Sequence, residues 1–273
     1  MKIDPLMNLH EESPPIGGLS CHVNFSPILL FSDPNLVMVW KPSRMLVHPT
    51  DEASDSFTLM HWARRKLGQR VYPIHRLDRQ TSGIVALARS SEAASFYGKT
   101  MKRGGFTKLY LALVRGHFPM EMVEVDYPVK AKHQKHAKPA KSRFKGLAHT
   151  TQPWSVGRYA ESRYSLILSQ PLSGRRHQLR RHLAHLRHPI IGDRMYGDGH
   201  HNRYFRENTT WPDMLLCAVY LKCPGFDGPA VELLAMEDSC FNRTLSNLFE
   251  IEDSKDWIAK QLRAFLATTS SSS

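Results

Sequence analysis

The sequence has little cysteine and no long apolar segment. Its four cysteines show no CxxC spacing, so free thiols in a reducing compartment are the simplest interpretation. No apolar run approaches the about 18 residues of a membrane-spanning helix, and the first residues show no signal-peptide pattern. We therefore expect a cytoplasmic protein without a membrane partner. The cysteines are Cys21, Cys217, Cys223 and Cys240.

The patterns of several common enzyme classes are also missing. The sequence contains no glycine-rich phosphate-binding loop and no βαβ dinucleotide-binding unit, which argues against the corresponding nucleotide-binding folds. It also lacks a GxSxG nucleophile elbow, and Ser82 lies in a predicted turn without an obvious base. A serine hydrolase is therefore not expected.

Positive charge is abundant and concentrated in two segments. The 273 residues carry a formal net charge of +12. Residues 130–145 include seven Lys and Arg and no acid, and residues 174–206 include eight Arg, six His and only two acids, Asp193 and Asp198. Charge distributed in this way favours a nucleic-acid partner over a generally basic surface.

The histidines in the second basic segment do not have metal-site spacing. They are separated by five, three and three residues, with no cysteine nearby and no HExxH pattern. We predict no metal, and interpret them as titratable surface or RNA-contacting residues. These histidines are His177, His182, His185 and His188.

The most informative segment is His75–Gly83, in which Asp78 lies between Arg76 and Arg79. Nearby positive charge favours the ionised form of a carboxylate, which can act as a nucleophile or a base. The apolar run that follows, residues 84–88, is typical of a buried strand. We therefore place Thr81–Gly83 in a turn and Asp78 at the mouth of a sheet. A surface ion pair is the alternative interpretation.

Two further segments carry candidate site residues. Alternation along a predicted strand places Lys108 and Tyr110 on one face, where Tyr110 either stacks on a base or packs in the core. The segment Gly174–His182 opens a predicted helix containing Arg180 and Arg181. One arginine aimed inward would pair with Asp78, and others would bind phosphates.

The secondary-structure pattern predicts an α+β fold with a mixed or antiparallel sheet. We predict strands at 28–31, 36–40, 108–114, 163–168, 215–221 and 231–234, and helices at 56–67, 92–103, 178–188 and near the C-terminus. We predict Ser54 or Asp55 as the first helix cap, and a basic loop at 130–145. The expected organisation is a loose extension at 1–24, a catalytic domain at 25–250, a helix at 251–267 and a disordered tail at 268–273.

Four segments, occurring in the same order, together resemble the motifs of the RluA-type pseudouridine synthases. They are Lys41–Ser43 with Leu46–Pro49, His75–Gly83, Lys108–Tyr110, and Gly174–Arg180 with His188–Asp193. The resemblance implies a mixed, largely antiparallel sheet flanked by helices and loops, with an active-site cleft across the sheet. Gly157–Tyr159 and Gly197–Asp198 resemble a branch that acts on uridine 65 of tRNA.

The resemblance also implies residue roles. Asp78 is the catalytic carboxylate, Arg180 its partner, and Tyr110 stacks on the target base and assists proton loss from C5. Arg76 fills the space that a flipped uridine leaves. The reaction needs no cofactor or metal, and we expect a monomer whose partner is tRNA. The remaining expected RNA-binding residues are Arg79, Lys108, Lys132, Lys135, Lys138, Lys141, Arg175, His177 and Arg181.

One position departs from the family pattern. The first motif usually continues with glycine, but residue 44 is arginine. Glycine is often needed where φ is positive, so either the turn is reshaped or Arg44 contacts phosphate. The alternatives to a tRNA target are ribosomal RNA or a dual specificity, a non-catalytic RNA-binding protein, and a metal-dependent nuclease.

Overall fold

The computed structural model describes residues 26–49, 57–130, 135–209 and 213–270. The expected N-terminal extension, Ser54 and Asp55 lie outside these residues. Within them, a sheet of ten strands carries six helices. The strands are β1 (Ile28–Ser32), β2 (Leu36–Lys41), β3 (Tyr72–Pro73), β4 (Ser82–Ala88), β5 (Thr107–Arg115), β6 (Met122–Asp126), β7 (Lys141–Gln152), β8 (Ser162–Pro171), β9 (Leu216–Cys223) and β10 (Val231–Leu234). The helices are α1 (Leu59–Leu67), α2 (Ser91–Lys102), α3 (Gln178–His185), α4 (Gly199–Asn208), α5 (Ser239–Phe249) and α6 (Ser254–Ser270).

The sheet is mixed and largely antiparallel. Its main path runs β1-β2-β4-β9-β5-β8-β7-β6, while β10 pairs with β9 and β3 pairs with β4. The pair β4–β9 is parallel, and the other strand pairs are antiparallel. This arrangement confirms the predicted α+β class and sheet type.

Two hydrophobic cores cover the two faces of the sheet. In β2, Met38 and Trp40 enter one core while Val37 and Val39 enter the other, as alternation along a strand requires. The strands β2 and β4 are buried throughout, which explains their continuous apolar sequences. Phe265 of α6 packs in the first core, and Leu179 and Leu183 of α3 pack in the second.

The predicted strands are confirmed with end shifts of a few residues, but several helix boundaries are wrong. Helix α1 begins at Leu59 because Thr58, rather than Ser54 or Asp55, caps it by accepting a hydrogen bond from the His61 N–H. Helix α3 ends at His185 instead of residue 188, because Arg187 takes a left-handed φ of 66°. Helix α6 continues to Ser270, so residues 268–270 are helical rather than a tail.

The expected basic loop at 130–145 is partly a hairpin. Lys141 begins β7, and the backbone groups of Val129 and Lys138 exchange two hydrogen bonds of 2.9 and 3.0 Å. Backbone pairing between β6 and β7, together with the Val129–Lys138 hydrogen bonds, therefore orders part of a basic segment whose sequence lacks apolar periodicity. Lys135 and Lys138 are exposed in this hairpin, while Lys132 lies outside the described residues.

Cys217 and Cys223 are buried free thiols, as predicted; Cys21 lies outside the described residues. Among the described helices, none combines the length and apolar character needed to cross a membrane.

Candidate active site

Asp78 lies in the loop between β3 and β4, at one end of the sheet. Its carbonyl accepts a hydrogen bond of 3.1 Å from the Thr81 N–H, and the strand then begins at Ser82. The turn thus precedes Ser82, and the prediction that Ser82 and Gly83 belong to it is wrong. The carboxylate faces a cleft of about 340 Å³ lined also by Lys108, Tyr110, Arg176, His177 and Arg180.

The positive charge beside Asp78 comes from α3 rather than from the flanking arginines. Arg180 Nη1 donates to Asp78 Oδ2 at 3.1 Å, which confirms the predicted inward-facing arginine. Arg76 instead approaches His48, with 3.4 Å between Nη1 and Nε2. Arg79 donates to the carbonyl of Arg44. Residues distant in sequence therefore form the ion pair.

Asp193 fixes Arg180 in this orientation. Its two carboxylate oxygens accept hydrogen bonds of 2.7 Å from Nε and Nη2 of Arg180. Two backbone N–H groups, of Met195 and Tyr196, bond to Oδ1 as well. Burial opposes charge on both partners, but these bonds prevail, so the pKa of Asp193 is lowered and that of Arg180 is raised. The guanidinium is held with Nη1 directed to Asp78.

Tyr110 belongs both to the core and to the cleft. Its side chain packs in the second core at 9% exposure, and it also lines the cleft beside Lys108 and Leu216. Burial, reinforced by the Asp78 charge, raises the pKa of Tyr110, which keeps the phenol protonated. Burial also lowers the pKa of Lys108. The predicted shared face of Lys108 and Tyr110 is confirmed.

The turn after β2 is bonded to the Asp78 loop. The buried Lys41 Nζ donates to the carbonyls of Pro42, Met45 and Arg79 at 2.8, 2.9 and 3.3 Å. Ser43 Oγ donates to the Gln80 carbonyl. Burial lowers the pKa of Lys41 to about 7, and the Asp78 charge opposes this shift. The end of β2 and the loop before β4 thereby hold the backbone around Asp78.

Arg44 retains the turn that glycine was expected to provide. Its φ is 65°, in the left-handed region, so the turn is not reshaped by the side chain. Its Nε donates to both carboxylate oxygens of the buried Asp213, at 2.7 and 2.9 Å. The side chain therefore forms an ion pair within the protein.

The other expected RNA-binding residues are divided between the cleft and the hairpin. Arg76, Lys108, Arg175 and His177 line the cleft. Lys141 pairs with Glu124, and Arg181 donates to Tyr196 Oη and to the Lys130 carbonyl. Several of these cations therefore also have contacts within the protein.

The histidines of α3 differ from one another. His182 is fully buried between Ser142 Oγ and the Tyr127 carbonyl, so its interpretation as a surface residue is wrong. His185 is exposed and stacks on Tyr127. The described part of the chain contains no group of three or more His, Cys, Asp or Glu placed to hold a metal ion.

Two residues of the site, Asp193 and Tyr196, were assigned no role from the sequence, although Asp193 ends a motif that carries the family resemblance. Asp193 is one of only two acids in the basic segment 174–206, and that isolation was an available signal. For Tyr196 the sequence provided no comparable signal, because its role depends on the fold of the turn after Asp193.

Known proteins similar to this chain are RNA pseudouridine synthases. The family model described as RNA pseudouridylate synthase matches residues 35–185. A tRNA pseudouridine synthase C of Vibrio cholerae is 42% identical over 206 residues, covering 71% of this chain and 84% of the relative. One of Haemophilus ducreyi is 41% identical over 201 residues, covering 70% and 82%.

Solved structures show the same fold. Human RNA Pseudouridylate Synthase Domain Containing 1 superposes with a TM-score of 0.64 at 24% identity, covering 88% of this chain and 96% of that one. Human RNA Pseudouridylate Synthase Domain Containing 4 gives 0.62 at 22%, covering 81% and 92%. From the motifs, the fold and these matches, the chain belongs to the RNA pseudouridylate synthase family.

Proposed function

We propose that this protein is a tRNA pseudouridine synthase in which Asp78 is the catalytic residue and uridine 65 is the target. The observation that carries the proposal is the Asp78 carboxylate in a cleft, paired with the buried, doubly anchored Arg180. The relatives named as tRNA enzymes support tRNA as the substrate class.

The reaction breaks the N1–C1′ bond of uridine and forms a C5–C1′ bond. The proton on C5 is lost and N1 regains one, so the product is an isomer and no oxidant or group donor is consumed. The Asp78 carboxylate either attacks C1′ or removes a sugar proton to give a glycal. Both routes need the Asp78 carboxylate as an anion, and the Arg180 guanidinium lies 3.1 Å from its Oδ2.

The cleft suits a flipped base. Extruding a nucleotide from a helix costs a few kcal/mol, which contacts inside the pocket offset. The Tyr110 ring at the cleft wall would stack on the uracil. The raised pKa of Tyr110 keeps its phenol protonated, so the phenol would assist the loss of the C5 proton only while passing its own proton to another acceptor. The exposed Arg76, at the rim, would occupy the vacated position in the RNA helix.

The basic surface around the cleft would bind the phosphate backbone. The hairpin residues Lys135 and Lys138 are exposed, and Arg175 lies beside them, with Nε donating to the Pro139 carbonyl. Arg79 is exposed on the loop that carries Asp78. Such contacts give salt-dependent affinity without base specificity.

Tritium release from tRNA transcripts carrying C5-tritiated uridine tests the proposal. We expect release by the wild-type protein and none by Asp78→Asn, with the modified position mapped to uridine 65. Release from ribosomal RNA alone would overturn the tRNA target. Equal release by Asp78→Asn would overturn the role of Asp78, and EDTA-sensitive strand cleavage would indicate a nuclease.

A further inference from the structure

A chain of three side chains ends beside the Asp78 oxygen that Arg180 does not bind. His177 Nε2 lies 3.7 Å from Asp78 Oδ1, while Arg180 Nη1 bonds to Oδ2. His177 Nδ1 lies 3.1 Å from Tyr196 Oη, which in turn accepts a hydrogen bond of 2.9 Å from Arg181 Nε. The order is therefore Arg181, Tyr196, His177, Asp78.

The hydrogen-bond chemistry of this chain sets the tautomer of His177. A guanidinium can only donate, so Tyr196 Oη is the acceptor from Arg181. Because Nε2 faces Asp78 Oδ1, an unprotonated Nε2 would set its lone pair against the carboxylate, so the favoured arrangement has the Tyr196 hydroxyl donating to His177 Nδ1. A neutral imidazole has one acceptor and one donor nitrogen, so Nε2 carries the proton and presents an N–H to Asp78.

The electrostatics support a neutral imidazole. Burial lowers the pKa of His177; the Asp78 charge opposes this, while the charges of Arg180, Arg176 and Arg181 lower the pKa further. The imidazole side chain is only 11% exposed. Arg180 and Arg181 also lie over the Tyr196 ring at 5.1 and 5.3 Å, which fixes that ring.

The backbone at His177 is held in an unfavourable conformation. Its φ of 56° is left-handed, although it is not glycine, and its side chain does not cap α3. The left-handed region is unfavourable for a residue with a Cβ. Such outliers concentrate at functional sites, where the gain is the direction of a side chain.

We infer that His177 is a positioning residue for the Asp78 carboxylate, fixed as the Nε2–H tautomer by Tyr196 and Arg181. The inference rests on the proposed function, and it assigns His177 and Arg181 a task other than phosphate binding. Donors face both oxygens of Asp78, and shortening of the Nε2–Oδ1 distance when substrate binds would fix the plane of the carboxylate. The 3.7 Å contact is long for a hydrogen bond, as is common before substrate closes a site.

Two substitutions of His177 distinguish the effect of its donor near Asp78 from the effect of its left-handed backbone conformation. His177→Gln keeps a donor near the place of Nε2, whereas His177→Asn is too short to reach Asp78. Asparagine tolerates the left-handed region better than glutamine does. If only the backbone mattered, His177→Asn would be the better-tolerated variant. If the donor matters, the order is reversed.

Single-turnover tritium release and RNA affinity measure the two roles separately. We expect His177→Asn to slow release about tenfold or more, and His177→Gln to stay within about threefold of wild type, with tRNA affinity unchanged in both. Tyr196→Phe, which keeps the ring, should slow release to a similar extent. The double variant His177→Asn/Tyr196→Phe should be no slower than His177→Asn alone.

The outcomes distinguish this inference from the proposed function. If wild-type protein releases no tritium from tRNA, the proposed function fails and the inference falls with it. If wild type is active and Asp78→Asn is not, the His177 variants decide alone. Equal rates for Asn and Gln, additive effects with Tyr196→Phe, or weakened tRNA binding at unchanged rate would overturn the positioning role.

Discussion

At the scale of the residue, Arg44 shows how a side chain can compensate for an unfavourable backbone. Its φ of 65° is a conformation that glycine adopts more readily. Its guanidinium is the hydrogen-bonding partner of the Asp213 carboxylate, which is 6% exposed. An ion pair with a buried carboxylate therefore offsets the backbone cost at this position.

Substitutions at Arg44 should separate these two effects. Arg44→Ala removes the ion pair but keeps a Cβ in the left-handed region, and should lower the free energy of unfolding by about 1–3 kcal/mol. Arg44→Gly loses the same pair but relieves the backbone, so it should be about 1 kcal/mol more stable than Arg44→Ala. Urea unfolding measures both. An alanine variant as stable as the glycine variant would contradict the backbone account.

A contact could be predicted from the sequence where the residue type and its position at the start of a helix were sufficient to determine it. The inward arginine of α3 could be expected because it follows a helix start, and its contact with Asp78 is present. Asp193 and Tyr196 were missed because their roles come from a turn folding back on α3. The buried state of His182 was also missed, since it depends on the hairpin that supplies Ser142 and Tyr127.

At the scale of the element, the parallel junction between β4 and β9 positions the Asp78 loop. Gly83 pairs with Ala218 across it, and its φ is 124°. A Cβ on Gly83 would lie 2.3 Å from the Ala218 carbonyl oxygen. The closeness of these two backbones explains why a glycine directly follows Ser82 in the segment after Asp78.

Gly83→Ala should therefore destabilise the protein strongly, by about 4 kcal/mol or more, through a clash and a disallowed backbone. Gly98→Ala in α2 is the matched control, since a Cβ there would meet no atom within 4 Å beyond its own helix backbone and chain neighbours. Alanine at this position should raise the free energy of unfolding by about 0.5–1 kcal/mol. Thermal and urea unfolding provide the test. Wild-type stability in Gly83→Ala would refute the close-approach argument.

Strands and helices with strong apolar patterns could be predicted from the sequence, whereas strands that depend on pairing with neighbouring strands could not. Strands β2, β4 and β5 have continuous apolar runs and were placed to within a few residues. Strand β7 is mostly polar and strand β6 is only five residues long, so neither has a continuous apolar run, and their register is set by each other and by β8. Helix α4 was missed because the residues after its cap, Asp198, form no simple apolar stripe. Helix α5 was missed although Asp238 caps it and Phe241, Leu245 and Leu248 follow at helical spacing.

At the scale of the whole molecule, positive charge concentrates near the cleft. The net charge of +12 would favour association with a polyanion, and we propose that the exposed hairpin lysines contact phosphates of the bound RNA. Each lysine–phosphate contact releases counterions, so its removal should reduce the salt dependence of binding.

Lys135→Ala/Lys138→Ala should reduce the slope of log affinity against log salt by about 1–2, with the single-turnover rate unchanged. Lys260→Ala is the control, because that lysine is on α6 and pairs with Asp256 at 69% exposure. Filter binding of tRNA at several salt concentrations gives the slopes. An unchanged slope for the double variant would exclude the hairpin from the RNA interface.

The most direct test of the central claim is C5 tritium release from tRNA by wild-type protein and by Asp78→Asn. Asparagine keeps the size of the side chain but removes the charge that Arg180 contacts at 3.1 Å. The account predicts release by wild type and none by Asp78→Asn, with tRNA binding retained. Comparable release by the two proteins would contradict it.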